Sequence, residues 1–227
     1  MSEALDLNTL GLKALYRPAA AGTAQPWLLV LMHGVGSHEA DLFALAPWVP
    51  PNFHLLSLRA PFPLGPQSFA WFQFDVLPNG QRQIQADQEA HSRAQLAEVL
   101  AQAAHQLQLP AERVVVGGFS QGGIMGLSLL LTRPQDLRAA LVMHSRLLPE
   151  AVALQAPAES LAGRSLWLSY GTEDEVLPPS HTQAIVNHVR ALPIDLQGAG
   201  FPGGHTLSRP ELDAVSGWLA ALSQAPA

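Results

Sequence analysis

A chain of 227 residues, 48% hydrophobic and 13% charged, is long enough for one domain with a sizeable core. Its net charge of −6 disfavours nucleic acid as a partner and supplies no polybasic membrane anchor. Having no cysteine, it can form no disulfide, thiol nucleophile or thiolate metal site.

The first residues, Met-Ser-Glu-Ala-Leu-Asp-Leu, are acidic and lack the basic-then-apolar pattern of a signal peptide. No apolar run approaches the roughly 18 residues needed to span a bilayer, so a soluble, cytoplasmic protein without integral membrane association is expected. Leu12 to Arg17 suits an antiparallel edge strand. Trp27 to Met32 is continuously apolar, as a strand buried on both faces should be. It runs into His33-Gly34-Val35-Gly36-Ser37, a loop whose glycines give the backbone freedom to aim its N–H groups. Gly34-x-Gly36 lacks the third glycine of a dinucleotide fingerprint. His33, His38, Glu39 and Asp41 lack an established metal-ligand spacing.

Glu39 to Trp48 reads as a helix and Phe53 to Leu58 as a second buried strand. A long loop from Pro61 to Arg82 carries Trp71 and Phe72. Ile84 to Leu109 places Leu96, Val99, Leu100 and Leu107 at helical spacing before Pro110. Val114 to Val116 is then a third strand, followed by Gly118-Phe119-Ser120-Gln121-Gly122 and an apolar helix over Gly123 to Leu131. That pentapeptide fits G-x-S-x-G, in which a serine occupies a sharp strand-to-helix turn. The flanking glycines relieve clashes, and the helix N-terminus points free N–H groups at the same spot. A serine that merely caps the helix has the same local pattern, so a base, an orienting acid and an oxyanion hole must come from elsewhere.

Ala139 to Met143 forms another strand, ending at His144-Ser145-Arg146. Ser165 to Tyr170 is the next, and it opens into Gly171-Thr-Glu-Asp174-Glu-Val-Leu-Pro-Pro179. Glu173, Asp174 and Glu175 compete here as orienting carboxylate; Asp174 is favoured because its short side chain suits a tight loop. Pro179 to Leu192 is helical and Ile194 to Gly198 a short last strand. Gly200-Phe-Pro-Gly-Gly-His205 then gives a hinged loop able to bring an imidazole over the sheet edge. The last helix, Pro210 to Leu222, follows Ser208-Arg-Pro-Glu211, which has capping-box spacing.

Strands alternating with helices imply an α/β protein with a mostly parallel central sheet, helices on both faces and a site at the strands' carboxyl ends. No linker interrupts it, so residues 1–227 are expected to form a single domain. The order Ser120, Asp174, His205 is that of α/β-hydrolases. In that template the second oxyanion donor, beside the Gln121 N–H, belongs to the loop after an early strand, where Val35 N–H is the candidate.

These residues resemble the phospholipase/carboxylesterase family of α/β-hydrolases, which includes acyl-protein thioesterases and small bacterial carboxylesterases. The resemblance runs over Leu31-Met-His-Gly-Val-Gly36, Arg59-Ala-Pro61, Trp71-Phe72, Gly117-Gly-Phe-Ser-Gln-Gly-Gly123, Leu147-Leu-Pro-Glu150, Gly171 to Pro178 and Gly204-His205. It implies an α/β-hydrolase fold with Ser120, Asp174 and His205 as catalytic triad and Val35 and Gln121 as oxyanion hole. It also implies Trp71 and Phe72 at the acyl-site wall, although the same pair suits a small satellite core beneath the Pro-rich loop. His144 stands where the family usually has Ser-Gly. It is expected to narrow the cleft as a substrate-binding residue, while Arg146 either favours acidic acyl groups or pairs with a local glutamate.

The expected function is hydrolysis of carboxylic esters or thioesters of short to medium acyl chains through an acyl-enzyme. A small-molecule substrate, no metal and no organic cofactor are expected, and the resemblance suggests a homodimer. Two other functions fit the chain. One is a lysophospholipase or acyl-protein thioesterase acting on long chains; the other is a non-catalytic hydrolase-fold binding protein.

Overall fold

A computed structural model describes residues 5–78 and 82–224. Met1 to Ala4 of the expected leaderless start, and residues 79–81 of the expected 61–82 loop, lie outside the described residues. Seven strands build the main sheet: β1 Ala14–Arg17, β2 Trp27–Met32, β3 Phe53–Leu58, β4 Val114–Phe119, β5 Ala139–Met143, β6 Arg164–Gly171 and β7 Ile194–Phe201. Their spatial order is β1-β3-β2-β4-β5-β6-β7. Only β1 runs antiparallel, with Ala14 opposite Leu58 and Arg17 opposite Leu55. Among the described residues there are six α-helices: α1 Glu39–Phe43, α2 Ala86–Gln106, α3 Gln121–Thr132, α4 Pro149–Ala153, α5 Pro179–Val189 and α6 Arg209–Gln224.

The continuous apolar runs divide by alternation between two cores, one on each face of the sheet. Leu28, Val30, Met32, Leu56, Val116, Val142 and Leu168 face α2, α3 and α5. Leu29, Leu31, Leu55, Val115, Leu141 and Trp167 face α1 and α6, where Leu42, Trp218 and Leu219 pack. In the central strands both faces are covered and most positions carry apolar side chains, which erases the polar alternation of a half-exposed strand. Among the described residues no helix is long and apolar enough to cross a membrane.

Several expected boundaries move, each for a local reason. The first helix stops at Phe43 because Pro47 cannot continue it; a 3₁₀ turn at Ala46–Trp48 follows. Ile84 is not the start of α2 but pairs with Phe74 in a small hairpin, Phe74–Val76 with Arg82–Ile84. A second hairpin, Phe62–Gly65 with Ser68–Ala70, also lies in the stretch expected as loop. The third strand reaches Phe119, pairing Gly117 and Gly118 with Leu141 and Val142. The last strand reaches Phe201, carried by its pairing with the full length of β6.

Neighbours of β2 fix where a site can form. The chain passes from β2 to β3 on one side and later to β4 on the other, so the loops leaving β2 and β4 diverge and open a crevice between them. The first turn of α3 presses against the end of β2 there. A Cβ on Gly122 would sit 1.7 Å from the Met32 carbonyl oxygen, and one on Gly118 would sit 2.4 Å from it. Gly122→Ala is expected to cost more than about 3 kcal/mol, because backbone rather than a flexible side chain must move. Thermal unfolding checks this: a fall in Tm of about 10 °C or loss of folded protein is expected.

Candidate active site

Ser120 joins β4 to α3 with φ 54° and ψ −115°, outside the regions open to most L-residues. Such a backbone costs about 1–3 kcal/mol and persists only where the surroundings over-determine it. Here the Ser120 N–H donates to the Met143 carbonyl at 2.9 Å, extending the β4–β5 ladder by one residue. Its carbonyl accepts from Ser145 Oγ at 3.0 Å and from Ile124 N–H at 3.0 Å. These bonds hold the turn while Oγ stands at the carboxyl edge of the sheet.

His205 Nε2 lies 2.9 Å from Ser120 Oγ, and His205 Nδ1 lies 2.7 Å from Asp174 Oδ2. Because the carboxylate only accepts, Nδ1 carries the proton and Nε2 is left to accept from the serine hydroxyl. Of the three competing acids, Glu173 and Glu175 are exposed and Asp174 is buried. Its Oδ1 accepts from the N–H groups of Val176 at 2.9 Å and Leu177 at 2.8 Å. Burial pushes its pKa up. The Leu177 N–H and the His205 and His144 rings outweigh that and hold it below the ordinary aspartate value. Gly171 lets the His205 loop fold onto β6, since a Cβ there would lie 2.4 Å from the Gly204 carbonyl oxygen, and Gly203 before the histidine takes a φ of 123°.

The loop after β2 flanks this serine. A Cβ on Gly34 would lie 3.5 Å from Ser120 Cβ, and Gly36 takes a φ of 85°. Ser37 N–H closes a turn onto the Gly34 carbonyl at 3.2 Å, which leaves Val35 at its corner, 40% exposed. His33 is fully buried and shapes this turn. Its Nδ1 sits 2.7 Å from the Gly34 carbonyl while Nε2 accepts from Ala60 N–H at 3.1 Å, which assigns a neutral ring protonated on Nδ1. Burial lowers its pKa, in keeping with that form. Gln121 opens α3, and the N–H groups of a first helical turn have no partner within the helix.

A family model for phospholipase/carboxylesterase matches residues 19–223. The chain belongs to the phospholipase/carboxylesterase family of α/β-hydrolases. It is a carboxylic ester hydrolase. The esterase is similar to a putative hydrolase, MhqD, of Bacillus subtilis, 23% identical over 201 residues, 84% of this chain and 91% of the relative. It is 26% identical over 213 residues to acyl-protein thioesterase 1 of Schizosaccharomyces pombe, covering 88% of this chain and 92% of the other. The fold matches the crystal structure of a Bacillus cereus carboxylesterase with a TM-score of 0.80, over 95% of this chain and 96% of that one, at 23% identity.

Three expected substrate contacts are corrected. Trp71 and Phe72 are 0% and 1% exposed and belong to the core beside α2 and α3. Trp71 Nε1 donates to the His33 carbonyl at 3.0 Å, and Ser92 Oγ donates to the Trp71 carbonyl. A side chain packed inside a core cannot line a cleft, and the pair joins the main core on that face rather than a separate satellite beneath the loop. His144 is 1% exposed and turns inward from the end of β5 instead of narrowing the cleft. Its Nδ1 lies 3.0 Å from Asp174 Oδ2 and its Nε2 lies 3.2 Å from Glu211 Oε2. Arg146 is half-buried; burial and the nearby Arg82 lower its pKa, and Glu150 opposes them.

Two functional contacts escape the sequence. Glu211 has the spacing of a capping-box residue, which is ordinarily at the surface, yet it is fully buried and accepts from Ser169 Oγ at 2.7 Å. The Gln121 side chain clamps the Trp71–Phe72 backbone. Its Oε1 accepts from Trp71 N–H at 2.8 Å and its Nε2 donates to the Phe72 carbonyl at 2.6 Å. For Gln121 the only signal is the family motif around it, and Glu211 carries none beyond its capping-box spacing. Among the described residues, ligand atoms close enough to share an ion occur in His144, Asp174 and His205. Those atoms face one another at 2.7 and 3.0 Å as hydrogen bonds, so an ion there would have to displace both ring protons.

Arg59 braces the crevice from below. Its guanidinium donates twice to the buried Glu39 carboxylate and lies 4.3 Å over the Phe69 ring. Burial raises the Glu39 pKa, and Arg59 brings it below the ordinary value. A depressed carboxylate stabilises the fold above the unfolded value of about 4.3, and that stability fades as pH falls through the lower folded value. Arg59→Met is therefore expected to cost about 2–3 kcal/mol at pH 7 and clearly less at pH 3.5. Urea unfolding at the two pH values checks both the size and the sign.

Proposed function

We propose that this esterase cleaves carboxylic esters or thioesters of short to medium acyl chains, with Ser120, His205 and Asp174 as triad. Ser120 Oγ attacks the acyl carbonyl as His205 Nε2 takes its proton. Asp174 holds the ring's tautomer and stabilises the imidazolium. The N–H groups of Val35 and Gln121 bind the oxyanion, assisted by the N-terminus of α3. His205 then returns the proton to the departing alkoxide or thiolate. Water, deprotonated by the same ring, attacks the acyl-enzyme and releases the acid with Ser120 restored.

One observation carries this reading: the unbroken hydrogen-bond chain from Ser120 Oγ through His205 to Asp174. The complete chain also argues against a non-catalytic binding protein. A cleft of about 300 Å³ beside Val35, lined by Leu64, Ala70, Phe74 and the more polar Gln73, Asp75 and Gln85, supports a modest acyl group. The thioesterase named among the relatives supports thioesters alongside oxygen esters. A single domain, a homodimer and a cytoplasmic location accompany this proposal. The net charge of −6 supports a partner list without nucleic acid.

Ser120→Ala is expected to lower kcat on p-nitrophenyl esters by about 10⁴-fold or more and to abolish labelling by a fluorophosphonate. Wild-type turnover in that variant overturns the assignment. Across p-nitrophenyl esters of two to sixteen carbons, kcat/KM is expected to peak among the shorter chains. A maximum at sixteen carbons points instead to the lysophospholipase or protein-thioesterase alternative.

A further inference from the structure

Asp174 Oδ2 serves two imidazoles. His205 Nδ1 lies 2.7 Å from it and His144 Nδ1 lies 3.0 Å from it. The two rings stand edge to face, with centroids 5.7 Å apart and planes 81° from parallel. Behind His144, Glu211 Oε2 is 3.2 Å from Nε2, and Glu211 Oε1 accepts from Ser169 Oγ. His144, Asp174 and Glu211 are 1%, 3% and 0% exposed, so water cannot screen them. The mechanism above uses Asp174 and leaves the other two unexplained.

A proton count constrains this row. Each carboxylate accepts and cannot donate, so both rings must present a proton to Asp174 Oδ2. His144 Nε2 then faces a second carboxylate oxygen, and that contact is attractive only with a further proton between them. Removing it would leave two buried carboxylates joined by a neutral ring, two negative charges without a counter-charge. Burial works against a charged His144. The hydrogen bond and charge of Glu211, followed by those of Asp174, outweigh it and raise the ring above the ordinary imidazole value. The backbone is arranged to hold this ring. His144 takes a left-handed φ of 48°, unusual for a residue other than glycine, and its N–H donates to the Ser169 carbonyl at 2.8 Å.

We propose that His144, held by Glu211, is a positioning residue that fixes the Asp174 carboxylate and sets the basicity of His205. The proposal rests on the triad assigned above. As an imidazolium, His144 takes a share of the Asp174 Oδ2 acceptor capacity and sets a positive charge beside His205. Both effects act on the hydrogen bond that orients His205, so their removal is read in the pH dependence of the general base. The charged or titratable groups against the His144 ring are Asp174 from the loop after β6, Glu211 from α6 and His205 from the loop after β7. The Phe119 ring, 5.3 Å away by centroids, closes the side toward β4.

The deciding experiment replaces the charged pair without changing net charge. In His144→Asn/Glu211→Gln the asparagine amide stands in for Nδ1–H toward Asp174, while the cation and its counter-ion disappear. Glu211 sits on the far nitrogen of His144, so the charge lost beside His205 is the positive one. The acid limb of kcat/KM for p-nitrophenyl acetate, which reports the free enzyme, should move up by about one pH unit, a roughly tenfold loss at pH below the limb. The pH dependence of fluorophosphonate labelling should shift equally, since it reads the same His205 without a substrate. Glu211→Gln alone should shift both in the same direction, and it decides the matter if the double variant does not fold. An unmoved or lowered acid limb in a folded variant that still labels at Ser120 overturns the inference and makes His144 a packing residue. Failure of the triad assignment itself looks different: wild-type turnover in Ser120→Ala.

Discussion

The approach of α3 to the carboxyl end of β2 is the constraint on which the site depends. Met32 and Gly122 meet so closely that not even a methyl group fits between them. That contact shortens the turn from β4 to α3 and obliges Ser120 to adopt its left-handed φ. It also brings the loop after β2 beside the serine. The strain is met by the Met143 and Ser145 hydrogen bonds and by the burial of every α3 residue from Gln121 to Leu131. At about 25 cal/mol per Å² of apolar surface, a helix buried on all sides stabilises the fold by far more than one strained residue costs.

Legibility in the sequence follows the range of the interactions. The central parallel strands could be read because burial on both faces leaves a mostly apolar run, unbroken in Trp27–Met32 and Ala139–Met143. Ser120 could be read because its glycines answer a local steric demand. Asp174 and His205 required only chain order and two loops at strand ends. Glu211 could not be found this way, because its fate depends on Ser169 and His144, 42 and 67 residues away. His144 misled for the same reason. A polar residue at a strand end ordinarily faces the cleft, and only its partners across the sheet turn it inward. The hairpins between Phe62 and Ile84 were hidden by their shortness: three or four residues carry no period.

The site is also sharply divided by solvent. Asp174, His144 and Glu211 are buried on the far side of the His205 ring, whose side chain is 16% exposed, while the cleft side is open at Val35 and Leu64. In the proposed mechanism substrate meets the serine and the backbone donors, while the buried carboxylate acts on it through the ring. Such an arrangement gives the orienting carboxylate a low-dielectric setting, in which hydrogen bonds are strong and an unpaired polar group is costly.

The double use of Gln121 has an evolutionary consequence. Its backbone N–H is the proposed oxyanion donor, while its side-chain amide pairs with the peptide groups of Trp71 and Phe72. Drift in the intervening loops is thereby partitioned. Changes of length or sequence at 62–68 and 74–85 can accumulate as long as the two peptide groups at 71 and 72 return to the same amide. An insertion that displaces them disturbs the helix start on which turnover depends. The side chain of Gln121 thus ties the Trp71–Phe72 segment to the start of α3, whereas among the described residues the hairpin tips carry no such tie.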